Sequence, residues 1–176
     1  MKKNITISGL AGTGKSTVGK LLSEALGYSF VSVGNFSREL AKEDYNMTIN
    51  EFQVLLSEKP ELDNIIDDRF KNYCNKSDSL VIDYRLGFHF VKNASHILLT
   101  VSDDIAFNRI ASSKRNDEDY SKVAIQKRNK QMKERFIKNF GVDFTDTTNY
   151  DLIIDTSFSS PEELVEKILS EFKALA

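Results

Sequence analysis

The sequence predicts an α/β domain: a parallel sheet with helices on both faces. Five short apolar or β-branched runs, at 4–8, 28–32, 80–83, 96–101 and 151–155, alternate with helical stretches. Strands spaced by helices pair in parallel and are covered on both sides. The run at 4–8 also passes through a glycine-rich turn directly into an apolar helical segment at 18–26. Finally, 176 residues with 40% hydrophobic and 28% charged side chains suit a single core, since a chain of this size buries roughly 70% of its unfolded surface.

Taken in order, the second and third runs are separated by about 45 residues, far more than one crossover helix needs. That interval reads as an insertion carrying a binding site. Within it Thr48 and Glu51 form a capping box, and Leu62, Ile65, Ile66, Phe70 and Tyr73 recur at helical spacing after Pro60. Between the fourth and fifth runs, 108–138 is the most polar helical region and reads as a mobile lid. A last helix opens with the capping box Ser160/Glu163 and with Pro161 at its first position, and sets Leu164, Ile168 and Phe172 on one face. The phenylalanines read as core.

The charge balance limits the partners. A net charge of −2 lacks the basic footprint that nucleic acid or an anionic membrane requires, so any polyanion site is local. The apolar start ends at Ile7, too short for a signal peptide or a membrane span, and a cytoplasmic monomer is expected. Cys74 is the one cysteine, read as a half-buried helix residue; with His89 and His96 as the only imidazoles, no zinc-type spacing exists.

The segment Gly9-Leu10-Ala11-Gly12-Thr13-Gly14-Lys15-Ser16, followed by Thr17, satisfies the phosphate-loop pattern G-x-x-x-x-G-K-S/T. It does so between a strand and a helix, the context the pattern requires. Its main-chain N–H groups curl round phosphates, Lys15 reaches the β and γ oxygens, and the Ser16 hydroxyl ligates Mg²⁺. Asp83 ends a buried strand, where such folds hold the carboxylate on the metal side.

Beyond this loop the chain resembles the nucleoside monophosphate kinases, most closely the short archaeal-type cytidylate kinases, over essentially its whole length. Ser32-Val33-Gly34-Asn35-Phe36-Ser37-Arg38 is similar to the family's S-x-G-x-x-x-R, and Pro60-Glu61-Leu62-Asp63 through Asp67-Asp68-Arg69 to its P-E-I/L-D and I-D-x-R. Asp83-Tyr84-Arg85-Leu86 stands where the family has D/E-G-R-L. Arg128, Arg135 and Phe140-Gly141-Val142-Asp143 resemble the lid helix and its exit, and 150–157 the final strand and the loop near the adenine. The resemblance implies a P-loop fold with strand order 2-3-1-4-5 and a core of 1–32, 78–107 and 148–176. A monophosphate-binding insertion at 33–77 and a lid at 108–147 complete it. It implies transfer of the γ-phosphoryl group of ATP to CMP or dCMP, with Mg²⁺ as cofactor. Ser32, Gly34, Arg38, Arg85 and Met132 would lie at the acceptor, and Lys15, Arg85, Arg128 and Arg135 would be catalytic.

The chain departs from that pattern twice. Tyr84 replaces the family's glycine, placing a bulky ring where the family keeps space near the acceptor. Met132 replaces an acid expected to contact the acceptor nucleoside, and a thioether is a weak hydrogen-bond acceptor. Arg128 and Arg135, seven apart on a helix, share a face, whereas Lys127, Lys130, Lys133, Lys138 and Arg109 read as solvated. Lys114 and Arg115 would sit at the lid tip, and the two histidines take no role. Two other readings stay open: a P-loop kinase for another acceptor, such as another nucleoside monophosphate, shikimate or a sugar acid, and a nucleotide-binding regulator without turnover.

Overall fold

The computed structural model describes residues 4–48, 51, 52, 55, 58, 59, 61–112 and 122–174, with the side chains at 63, 124, 128 and 172–174 excluded. Strand β1 (Asn4–Ser8) is the one on which the rest is arranged. Its Ile-Thr-Ile centre is β-branched, which favours extended backbone, and all five of its residues are buried. Full burial needs strands on both edges and helices on both faces. The five parallel strands run in the order β2-β3-β1-β4-β5, with β2 at Ser29–Ser32, β3 at Leu80–Asp83, β4 at Ala94–Thr100 and β5 at Leu152–Asp155. β4 starts earlier than its apolar run because Ala94 and Ser95 pair with Asn4 and Ile5.

The described helices are α1 (Lys15–Leu26), α2 (Val33–Glu43), α3 (Glu61–Lys76), the single turn α4 (Gly87–Phe90), α5 (Asp103–Ser112), α6 (Lys122–Phe140) and α7 (Pro161–Ala174). Alternation along the strands divides the core between the two faces of the sheet. Ile5, Ile7, Val81, Ile97, Leu99 and Ile154 meet Val18 and Leu22 of α1 and Leu164, Val165 and Ile168 of α7. On the opposite face Leu80 and Ile82 meet Phe70 and Cys74 of α3 and Phe136 of α6. Each such aliphatic side chain contributes roughly 1.5–3 kcal/mol when fully buried. α1 lies close to the sheet: a Cβ at Gly19 would come within 2.5 Å of the Phe30 ring.

Both capping boxes form. Glu51 Oε2 accepts from the Thr48 N–H at 2.8 Å, and Glu163 Oε2 accepts from the Ser160 N–H at 2.8 Å. Other expectations need correction. α3 turns Ile66, Phe70 and Cys74 inward, one residue per turn, and leaves Ile65 and Tyr73 over two-fifths exposed. Cys74 is therefore enclosed rather than half-buried, and its burial pushes the thiol up to about 12. Phe158 is 93% exposed and belongs to no core cluster. Pro60, Lys114, Arg115 and the Phe172 side chain lie outside the described residues. No described helix is long and apolar enough to cross a membrane.

Asn4 secures the base of the sheet. Its Nδ2 donates to the carbonyls of Cys74 (3.1 Å) and Ser77 (2.9 Å), and its Oδ1 accepts from the Leu80 N–H at 3.0 Å. One buried amide thus joins β1, the end of α3 and the start of β3. Asn4→Ala leaves these backbone groups without that partner and is expected to lower unfolding stability by about 3 kcal/mol, read as a fall in the urea midpoint at unchanged slope.

Candidate active site

At the C-terminal ends of β1 and β3, where open α/β sheets bind ligands, lies a cleft of about 650 Å³. Residues 11–18 form its floor. The loop reaches α1 through Gly14, at φ 85°, and passes so close to α5 that a Cβ at Gly12 would meet the Ala106 backbone at 2.8 Å. Glycine at 12 is thus required twice, by its φ of 82° and by this contact. Gly9 and Leu10 do not line the cleft; Leu10 packs against the second core cluster. Lys15 is 8% exposed, and its Nζ donates to the Leu10 carbonyl at 2.8 Å, so its ammonium lies back across the loop. Ser16 Oγ donates to Asp83 Oδ2 at 2.7 Å, placing two oxygens side by side, and Thr17 completes the wall.

At one end of the cleft stand Ser32, Gly34, Asn35, Arg38 and Arg85. Ser32 caps α2 by accepting from the Asn35 N–H at 3.1 Å, and Arg38 Nη1 donates to Asn35 Oδ1 at 3.0 Å. The Arg85 carbonyl accepts from Ser8 Oγ at 2.9 Å, tying it to the last residue of β1. Met132 is not part of the cleft wall and packs, partly buried, against the second core cluster. Arg135 is exposed, its guanidinium 5.4 Å from the Phe136 ring centroid, and it is not part of the wall either. The Arg128 side chain lies outside the described residues.

The other end holds a residue that sequence reasoning assigned to solvent. Arg109 is partly buried, donating through Nη1 to Thr156 Oγ1 (2.9 Å) and through Nη2 to the Thr156 carbonyl (2.6 Å). A longer Nη1 contact, 3.4 Å, reaches the Gly12 carbonyl. No local signal marked it: Arg109 lies one helical turn beyond Ala106, and only the fold brings Ala106 against Gly12. Lys133 is likewise engaged, with Asp143 at 2.8 Å and Thr145 at 3.0 Å. Burial, the largest single influence, works to raise the Asp143 carboxyl, but the hydrogen bond from Lys133, two from Thr145 and the Lys133 charge together hold it low.

The described residues lining the cleft include Lys15, Lys20, Arg38, Arg85 and Arg109 against one carboxylate, Asp83. A chain of net charge −2 thus gathers cations here, and a polyphosphate is the ligand this favours. Arg109→Met removes the tie between Gly12 and Thr156; we expect an approximately tenfold loss of ATP affinity by calorimetry, with faster hydrogen exchange over residues 9–17.

Comparison with known proteins agrees with this geometry. The model of the cytidylate kinase-like family matches residues 4–158. A cytidylate kinase of Archaeoglobus fulgidus is 35% identical over 166 residues, covering 94% of this chain and 92% of that protein. An S-adenosylmethionine-dependent nucleotide dehydratase of Lacinutrix mariniflava is 55% identical over 173 residues. Those residues are 98% of this chain but 36% of that protein, so the chain spans about a third of that relative's length. The crystal structure of shikimate kinase from Acinetobacter baumannii in complex with shikimate shares the fold, with a TM-score of 0.68 at 19% identity over 98% of this chain and 93% of that one. With the family model spanning most of the sequence and the Archaeoglobus kinase matching over more than nine-tenths of both chains, this chain belongs to the cytidylate kinase-like family of P-loop kinases.

Proposed function

We propose that this chain transfers the γ-phosphoryl group of ATP to a nucleoside monophosphate, with CMP or dCMP the preferred acceptor. The observation that carries the reading is the continuity of the cleft, which runs from Arg109 and Thr156, across Lys15, to Arg38 and Arg85. One open space thus meets donor phosphates at one end and an acceptor anion at the other.

The acceptor is already a phosphate carrying about −1.5 to −2 charge, so no general base is needed to make the nucleophile. The main barrier is repulsion between two anions brought in line, and positioned cations lower it. In this reading Lys15 leaves the Leu10 carbonyl for the β and γ oxygens, and Arg38 and Arg85 orient the acceptor phosphate beside Ser32 and Gly34. Ser16 Oγ and Asp83 Oδ2 suit a small hard cation that takes its other ligands from phosphates and water. Mg²⁺ held by Ser16 and Asp83 would supply positive charge that neutralises the donor phosphates. Residues 33–77 act as the acceptor-binding insertion and 108–147 as a lid. Closure of that lid would bring Arg128 and Arg135 over the phosphates and Met132 towards the nucleoside, and would exclude water.

The product is a nucleotide with one more phosphate. Fifty-five per cent identity to a stretch of a protein named as a nucleotide dehydratase supports placing the transfer upstream of a step that consumes a phosphorylated nucleotide.

Two experiments test the reading. Lys15→Ala is expected to leave a folded protein with phosphoryl transfer down by roughly 10²-fold or more, and near-normal kcat in that variant would overturn the role of the loop. In an ADP-release assay with ATP and Mg²⁺, CMP or dCMP should exceed AMP, GMP and shikimate by about tenfold in kcat/KM. AMP or shikimate as best acceptor overturns the cytidylate assignment; tight ATP binding with no acceptor turned over favours a regulator.

A further inference from the structure

Tyr84 stands between two residues that line the cleft, Asp83 and Arg85, and its own side chain goes the other way. The ring does not crowd the acceptor, as its place in the sequence suggested. It is 3% exposed, edge-on to Phe70 with centroids 5.2 Å apart and planes at 89°, and stacked on Phe90 at 6.1 Å. Its hydroxyl donates to Asp67 Oδ1 at 2.9 Å. Asp67 and Phe70 lie one turn apart on α3, so a single turn of that helix supplies both the aromatic contact and the hydrogen bond.

A phenol and a half-buried carboxylate are each costly to enclose alone, and each satisfies the other here. Burial first, and the Asp67 charge second, push the phenol well above its ordinary value, so it stays a donor. The main chain of Tyr84 is fixed as well: its N–H donates to the Ile7 carbonyl at 3.2 Å and its carbonyl accepts from the Gly87 N–H at 2.9 Å. The strand end that presents Arg85 is therefore anchored to β1 by its backbone and to α3 by one side chain. A glycine at 84 would keep only the first of these anchors.

We propose that Tyr84 and Asp67 form a positioning pair that ties the 83–85 segment to α3 and so sets where the Arg85 guanidinium meets the acceptor phosphate. This rests on the cleft being the site of transfer to a nucleoside monophosphate. The pair touches neither nucleotide; it acts through Arg85, and small displacements of a phosphate-orienting group are costly in rate.

Tyr84→Phe keeps the ring and removes the hydroxyl. It is expected to lower kcat for transfer to CMP by about tenfold, to leave the ATP KM within about twofold, and to raise the share of ATP hydrolysed without transfer. In an Arg85→Lys background the same change should have no further effect on kcat, because the group it positions is already gone. Equal losses in the two backgrounds would show a purely structural role and overturn the inference, as would parental kcat in Tyr84→Phe. Should Tyr84→Phe fold poorly, Asp67→Asn, which retains an acceptor oxygen, compared with Asp67→Ala makes the same test. The asparagine variant is expected to keep several-fold more activity, and only when Arg85 is present; equal activities overturn the pair. A parent chain that transfers to no nucleoside monophosphate overturns the functional reading itself, and this inference with it.

Discussion

The end of β1 is the constraint on which the site depends. A parallel strand with a neighbour on each edge delivers its C-terminus into the middle of the sheet, and the next residues here are the phosphate loop. Ser8, the last residue of β1, holds the Arg85 carbonyl through its hydroxyl and lies 3.0 Å from the Tyr150 hydroxyl, which in turn is 2.7 Å from the Phe144 carbonyl. On the other side, Thr156 Oγ1 lies 3.1 Å from the carbonyls of both Thr13 and Thr100. The loop is thus braced from the β3 side and from the β5 side by short polar side chains on strand ends. Because those ends are set by a register of buried aliphatic pairs, such as Ile5 with Val81 and Leu99 with Ile154, the precision of the site is inherited from the core.

Charge is arranged with the same economy. Arg69, Lys71, Lys122 and Lys133 are spent on carboxylates: Asp44, Asp68, Asp104 and Asp143. In the cleft, by contrast, Arg38 is held by the Asn35 amide oxygen, and Arg109 by a hydroxyl and two carbonyls. Neutral oxygens fix a guanidinium's direction without cancelling its charge, so these arginines are oriented in advance and still attract anions. Exposed ion pairs elsewhere add little to stability; the cleft instead gathers Lys15, Lys20, Arg38, Arg85 and Arg109 about one carboxylate, Asp83.

The strands and the loop were legible in the sequence because each is a local signal. Ile-Thr-Ile and Leu-Val-Ile-Asp read as buried strands from their composition alone, and the phosphate loop reads from residue types that backbone geometry requires. Thr48 with Glu51 and Ser160 with Glu163 were legible for the same reason, since a capping box closes on itself. Arg109 was not, because its partners, Gly12 and Thr156, are 97 and 47 residues away in the chain. On α3, helical spacing marked the apolar residues but could not decide between Ile65 and Ile66, or between Tyr73 and Cys74; packing of Ile66 against Leu40, Ala41 and Phe52, and of Cys74 among Phe70, Leu80 and Phe136, decided it. Tyr84 was misread for a related reason. At a strand end the next side chain faces cleft or core according to one residue of register, and Asp83 and Arg85 already occupy the cleft side.

This division bears on how the family's chemistry and its selectivity are carried. The phosphate loop lies between the end of β1 and the first turn of α1, positions locked by the sheet, so a chain about one-third identical to the archaeal enzymes can preserve it. On the proposed reading, α2 and α6 meet the acceptor: Arg38 and the two lid arginines face phosphates, and Met132 faces the nucleoside. Met132 illustrates the difference: it lies partly buried against the aromatic cluster, where a carboxylate would have to give up its hydration. Replacing the family's acid with methionine suits that packing and removes a charged contact, whereas Lys15, Ser16 and Asp83 have no such latitude, because each is held by a partner fixed to the sheet or to the phosphate loop. On that reading, substitution at Met132 can retune which nucleoside is taken without disturbing the phosphate loop.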